Sequence, residues 1–133
     1  MSTATLVLKQ AIDMATFCVD SYLEDLGDED LMIRPAEGAN HIAWQLGHLI
    51  AAENSLINMV CPGSMPDLPE GFVERHGKDT SSSDDASAFD SKERYVTLMN
   101  EQRTATLAAL EKVSDEELEQ PAPESIRQYS PTV

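Results

Sequence analysis

The chain has 133 residues and carries 24 acidic against 9 basic side chains, a formal net charge of −15 with a sequence pI near 4.3. At that length one domain with one modest core is expected. The basic residues are scattered from Lys9 to Arg127, which excludes a nucleic acid or an anionic membrane surface as partner, because phosphate contacts need clustered Lys and Arg.

A hydrophobic content of 41% with only 5% aromatic residues fits a soluble, aliphatic, helical domain rather than a disordered chain. No apolar run approaches the roughly 18 residues of a membrane span, and Met1–Thr5 lacks the basic and apolar segments of a signal peptide. Cys18 and Cys61 lie in different segments without Cys-x-x-Cys spacing, so they form neither a disulfide framework nor a metal knuckle. Cys18, between Phe17 and Val19, reads as a small buried hydrophobe, and the expected location is a reducing cytoplasm.

Taken in chain order, Leu8, Ile12, Ala15, Val19, Tyr22 and Leu26 step by four and three, which predicts a first helix over about Leu6–Leu26 with one core-facing stripe. Gly27 ends it. A second helix is predicted from an Asn40 N-cap to about Val60, where Cys61-Pro62-Gly63 stops it. Residues 61–88, rich in Pro, Gly and Ser, read as one long irregular loop. A third helix is predicted from an Asp90 N-cap, with Glu93 completing a capping box and Phe89 as the staple, to about Lys112. Ser114-Asp115-Glu116-Glu117 then opens a short helical turn, ended by Pro121 and Pro123. Period-two alternation is absent over any useful length, so the fold class is all-α.

An internal repeat relates Leu23–Leu31 to Leu110–Leu118 at an offset of 87 residues. One reading is convergent capping at two helix ends. The other is a helix-turn-helix pair used twice, as in a pseudo-symmetric four-helix bundle, which asks for a fourth helix starting near residue 128.

The chemistry-bearing candidates are few. His41, Gln45 and His48 share helical spacing and are expected on one side of the second helix. The two histidines lie about 10 Å apart along the axis and cannot share one ion. His76, in the Gly-rich loop, reads as a solvated loop residue; the alternative is a residue that swings over a site. On the second helix Ile42, Leu46, Leu49, Leu56 and Val60 define an apolar stripe with Glu53 near its centre. On the third, Val96, Met99, Leu107 and Leu110 do the same around Arg103. Burying either charge alone is costly, which predicts a Glu53–Arg103 pair between helices; the alternative is a rotation that brings a charge to water. No nucleophile signature, phosphate-binding loop or His-Glu-x-x-His is present.

The stretch Asn40–Glu53, with Trp44, Gly47-His48-Leu49 and Glu53, resembles the second helix of the DinB-like superfamily, which includes the YfiT-like metal-dependent hydrolases. Leu68–Phe72, Ser91–Arg94 and Ser114–Leu118 extend the resemblance, in order, over most of the chain. It implies an up-down four-helix bundle, here with three long helices, often dimeric. It also implies a divalent transition metal (Zn, Ni or Fe) held by three histidines. The helix-two ligand matches His48. The other two belong to a His-x-x-x-His segment on helix four, and no histidine follows His76. The expectation is therefore a chain that stops before helix four, with those ligands C-terminal to Val133, or a member that has lost the site. By resemblance the activity is that of a metal-dependent hydrolase or thiol-dependent transferase acting on a small molecule, with a low-molecular-weight thiol as a possible partner. The rival reading is a non-catalytic helical module that acts through dimerisation.

Overall fold

A computed structural model describes residues 1–133. Helix α1 spans Thr3–Leu23, α2 Ile42–Val60, α3 Phe72–Arg75, α4 Lys92–Leu110 and α5 Asp115–Leu118, with short 3-10 turns at Asp30–Met32, Lys78–Thr80 and Ala86–Ala88. The three long helices and the all-α class agree with the sequence. None of them is long and apolar enough to cross a membrane.

The helix ends show local chemistry overriding the expected caps. Helix α1 closes at Leu23, three residues early, and the ammonium of Lys92 donates to the carbonyls of Glu24 (3.2 Å) and Leu26 (2.7 Å) in the turn beyond it. The α2 N-cap is His41, not Asn40: the imidazole Nδ1 accepts the N–H of Trp44 at 3.1 Å, as a hydroxyl or carboxylate does elsewhere. The α4 N-cap is Ser91, not Asp90. Asp90 is already engaged, its carboxylate by Arg75 at 3.4 Å and its N–H by the Tyr95 hydroxyl at 3.1 Å.

Packing centres on α2 against α4. Ala43, Leu46 and Ile50 of α2 meet Tyr95, Leu98 and Met99 of α4, with Leu23, Leu31 and Phe72 closing the core. The stripe expected on α2 is therefore rotated. Leu46 is inside, while Leu49 (54% exposed) and Leu56 (43%) point out. On α1 only Val19 and Leu23 reach the core, joined by Leu26 from the turn beyond; Tyr22 is 81% exposed, and Cys18 is exposed rather than buried. The reason is that α1 touches the rest of the chain chiefly along α4, at the α1 C-terminal end.

Lys92 beside Glu24 makes α1 antiparallel to α4. Helix α2 runs parallel to α4, since Gly47 lies level with Tyr95 through the intervening His76, and Asn54 lies level with Gln102. The long 61–91 connection supplies the return path. It is less irregular than expected: α3 seats the fully buried Phe72, and the Asn54 amide donates to Pro66 O (2.8 Å) and to Gln102 Oε1 (3.0 Å), tying the return to both helices.

The 87-residue repeat is a structural repeat of a capping turn. Leu23 and Leu110 each end a long helix, and Leu31 and Leu118 each lie in a short helical segment. The Gly27 N–H donates to the Asp30 carboxylate at 2.8 Å, as the Ser114 N–H donates to Glu117 at 2.8 Å. Ser114 adds the hydroxyl that Gly27 lacks and completes the capping box. The helical counterpart expected near residue 128 is not formed within the chain: Ala122 N–H donates to Pro131 O, and Pro121 bridges to Thr132.

Candidate functional site

The functional candidates of α2 converge on the segment that follows α3. Three side-chain N–H groups on successive turns donate to its carbonyls. His41 Nε2–H donates to Ser83 O (2.9 Å), Trp44 Nε1–H to Gly77 O (2.9 Å) and His48 Nδ1–H to His76 O (3.2 Å). The tautomers follow from the partners, because a carbonyl only accepts and the Nδ1 of His41 is already an acceptor for Trp44 N–H. Arg34 adds a clamp from below, donating to Asp84 (2.8 Å), Ala39 O (2.8 Å) and Ser81 O (2.9 Å).

Gly47 makes room for this docking. A Cβ built on it would fall 2.0 Å from Cδ2 of His76, so only glycine admits the ring. His76 is buried, with Nδ1–H donating to Phe72 O at 2.7 Å and Nε2 accepting the Tyr95 hydroxyl at 2.7 Å. The Tyr95 oxygen in turn accepts Asp90 N–H. Every polar atom in this buried chain has a partner. Burial pushes the His76 imidazole below its usual range, with the Arg75 charge adding and the Phe72 hydrogen bond opposing. The neutral ring this favours is the form that accepts from Tyr95. Burial also pushes the Tyr95 hydroxyl up to about 12.

His48 lies at the edge of this cluster and is exposed. Its ring stacks on Trp44 with centroids 4.6 Å apart and planes 10° from parallel. Nδ1 is tethered to His76 O, and Nε2 has no partner in the chain. His41 and His48 share the side of α2 that faces residues 76–83 but differ in burial: His41 is a buried N-cap against Phe89, while His48 is exposed, as is Gln45. His76 is likewise corrected from a mobile, solvated residue to one of the most buried side chains, because the Gly47 notch and the Phe72 and Tyr95 partners fix it. Neither Gly47 nor Tyr95 stands in a recognisable chemical motif; a lone glycine inside a helical pattern is the one signal in the sequence for such a close approach.

Glu53 sits apart from the cluster, on the α2–α4 seam. The expected pair forms: Arg103 Nη2 lies 3.1 Å from Glu53 Oε2, and the Thr106 hydroxyl donates to Oε1 at 2.6 Å. The open groove of about 420 Å³ between α1 and α4, lined among others by Phe17, Leu23, Lys92 and Val96, includes no residue of Asn40–Glu53.

No group of three or more His, Cys, Asp or Glu side chains is placed to hold an ion.

Fold and site together define an all-α helical-bundle protein organised on the Trp44–Gly47–His48 segment. A family model described as the DinB superfamily matches residues 18–133, and the chain belongs to that superfamily, whose members are helical bundles and typically metal-associated. Comparison with curated proteins and with solved structures gives no match.

The Tyr95 hydroxyl carries a pH prediction. Its value rises from an ordinary 10.0 in the unfolded chain to about 12 in the fold. Between those values the native state keeps a proton that the unfolded state has released, so stability is intact below pH 10 and falls as pH rises through the window. Urea midpoints measured against pH are expected to drop there for the wild type, and Tyr95→Phe, less stable at neutral pH, is expected to lose that additional drop.

Proposed function

We propose that this chain carries the helix-two ligand of a divalent-metal-dependent hydrolase or thiol-dependent transferase, and that the ligand is His48. The observation that supports the reading is the tether on its Nδ1. Metal-binding imidazoles donate their second ring N–H to a carbonyl or carboxylate, and His48 does so while leaving Nε2 free. In this proposal the two further histidines lie C-terminal to Val133, the metal is Zn, Ni or Fe, and the substrate is a small molecule or a low-molecular-weight thiol in the cytoplasm. A three-histidine metal of this kind supplies Lewis-acid activation of a bound water or thiol. Metal analysis of the protein produced from its whole gene tests the assignment. Stoichiometric metal is expected in the wild type and its loss in His48→Ala; a His48→Ala protein that keeps its metal contradicts the reading.

A second reading, self-association, is supported by a separate feature. Ala4, Leu8, Ala11, Ala15, Cys18 and Tyr22 step by four and three along the exposed side of α1, flanked by Val7 (59% exposed) and Met14 (61%). A continuous apolar stripe of this kind marks an interaction surface, and its alanines allow a second helix to approach closely. The proposed occupant is a second copy, giving a homodimer. Sedimentation at micromolar concentration is expected to show a dimer for the wild type and a folded monomer for Ala15→Glu. A wild type that stays monomeric throughout overturns it.

A further inference from the structure

The carbonyl that His48 uses belongs to His76, and the His76 backbone is held where it is by the His76 ring. That ring fills the notch over Gly47 and is bonded at both nitrogens, by Phe72 O and by the Tyr95 hydroxyl. The next carbonyl, that of Gly77, accepts the Trp44 indole N–H, and Trp44 is the ring on which His48 stacks. Two consecutive carbonyls therefore fix two side chains one helical turn apart on α2. The opposite His48 tautomer would aim an Nδ1 lone pair at the carbonyl oxygen.

We infer that His76 is a positioning residue for His48, locking it as the Nδ1–H tautomer with the Nε2 lone pair directed outward. His76 does this through its backbone, so its own side chain never touches whatever His48 binds. The role also explains why a loop histidine is buried to 1% exposure against a helix glycine, and why a tyrosine hydroxyl is spent on its second nitrogen. The inference rests on the reading of His48 as the functional side chain, but it concerns the orientation of that ring before anything binds.

The test is long-range 15N–1H NMR of the imidazoles, on the chain without added metal and at a pH where imidazole is neutral. For the wild type, His48 Nδ1 is expected in the protonated range and Nε2 in the unprotonated range. Gly47→Ala, which drives the His76 ring from its notch, is expected to shift His48 toward the Nε2–H form. Tyr95→Phe removes one hydroxyl from His76, should fold where the alanine variant does not, and is expected to shift His48 in the same direction. A wild-type His48 in the Nε2–H form, or a folded variant that keeps the wild-type signature, overturns the inference. Because no metal enters the measurement, such a result leaves the metal assignment to its own test, and loss of the metal assignment leaves the tautomer result standing.

Discussion

The contact between the His76 ring and the bare Cα of Gly47 is the constraint on which the rest of this structure depends. It brings the chain that follows α3 to van der Waals distance of α2, close enough for side chains of α2 to reach backbone carbonyls. Three of them do, on successive turns; His48 is the one donor to the His76 carbonyl, while Gly77 O also accepts from Thr80 and Ser83 O from Arg34. Without that approach His41, Trp44 and His48 would be three unrelated polar groups on a helix. With it they form one row of donors, and the orientation of His48 follows from its place in the row.

The same docking explains the topology. Parallel packing of α2 on α4 needs a long crossover, and the 31 residues from 61 to 91 need anchors to stay ordered. Phe72 in the core, His76 over Gly47, the Arg34 clamp and the Asn54–Pro66 hydrogen bond supply them at intervals along the segment. The Glu53–Arg103–Thr106 cluster performs a separate task lower on the seam, giving each oxygen of the Glu53 carboxylate a donor between two helices while the buried Nε of Arg103 stays unpaired.

Much of this was legible in the residues. The three long helices, the Ser114 capping box and the pairing of Glu53 with Arg103 all follow from periodicity, cap chemistry and the cost of an isolated buried charge. The resemblance of Asn40–Glu53 also points to the superfamily to which the chain belongs. Helix faces were less legible, because the apolar residues of α1 and α2 go most of the way round: Leu49 and Ile50 are equally hydrophobic, and only the position of α4 decides that Ile50 is inside. Caps failed where a side chain had a better partner elsewhere, as with Asp90 on Arg75. His76 failed for a related reason: polar loop composition says nothing about a glycine 29 residues earlier that leaves room for its ring.

Side-chain N–H groups of α2 are committed to the carbonyls of residues 76–83. Trp44 is the only tryptophan, so its indole N–H gives a single, unambiguous signal. Hydrogen–deuterium exchange of that proton, followed by NMR under native conditions, tests the claim directly. Slow exchange is expected, released together with the amides of the core when the fold opens. Exchange at the rate of a free indole would show that the segment is not docked, and with it the orientation assigned to His48 would fall.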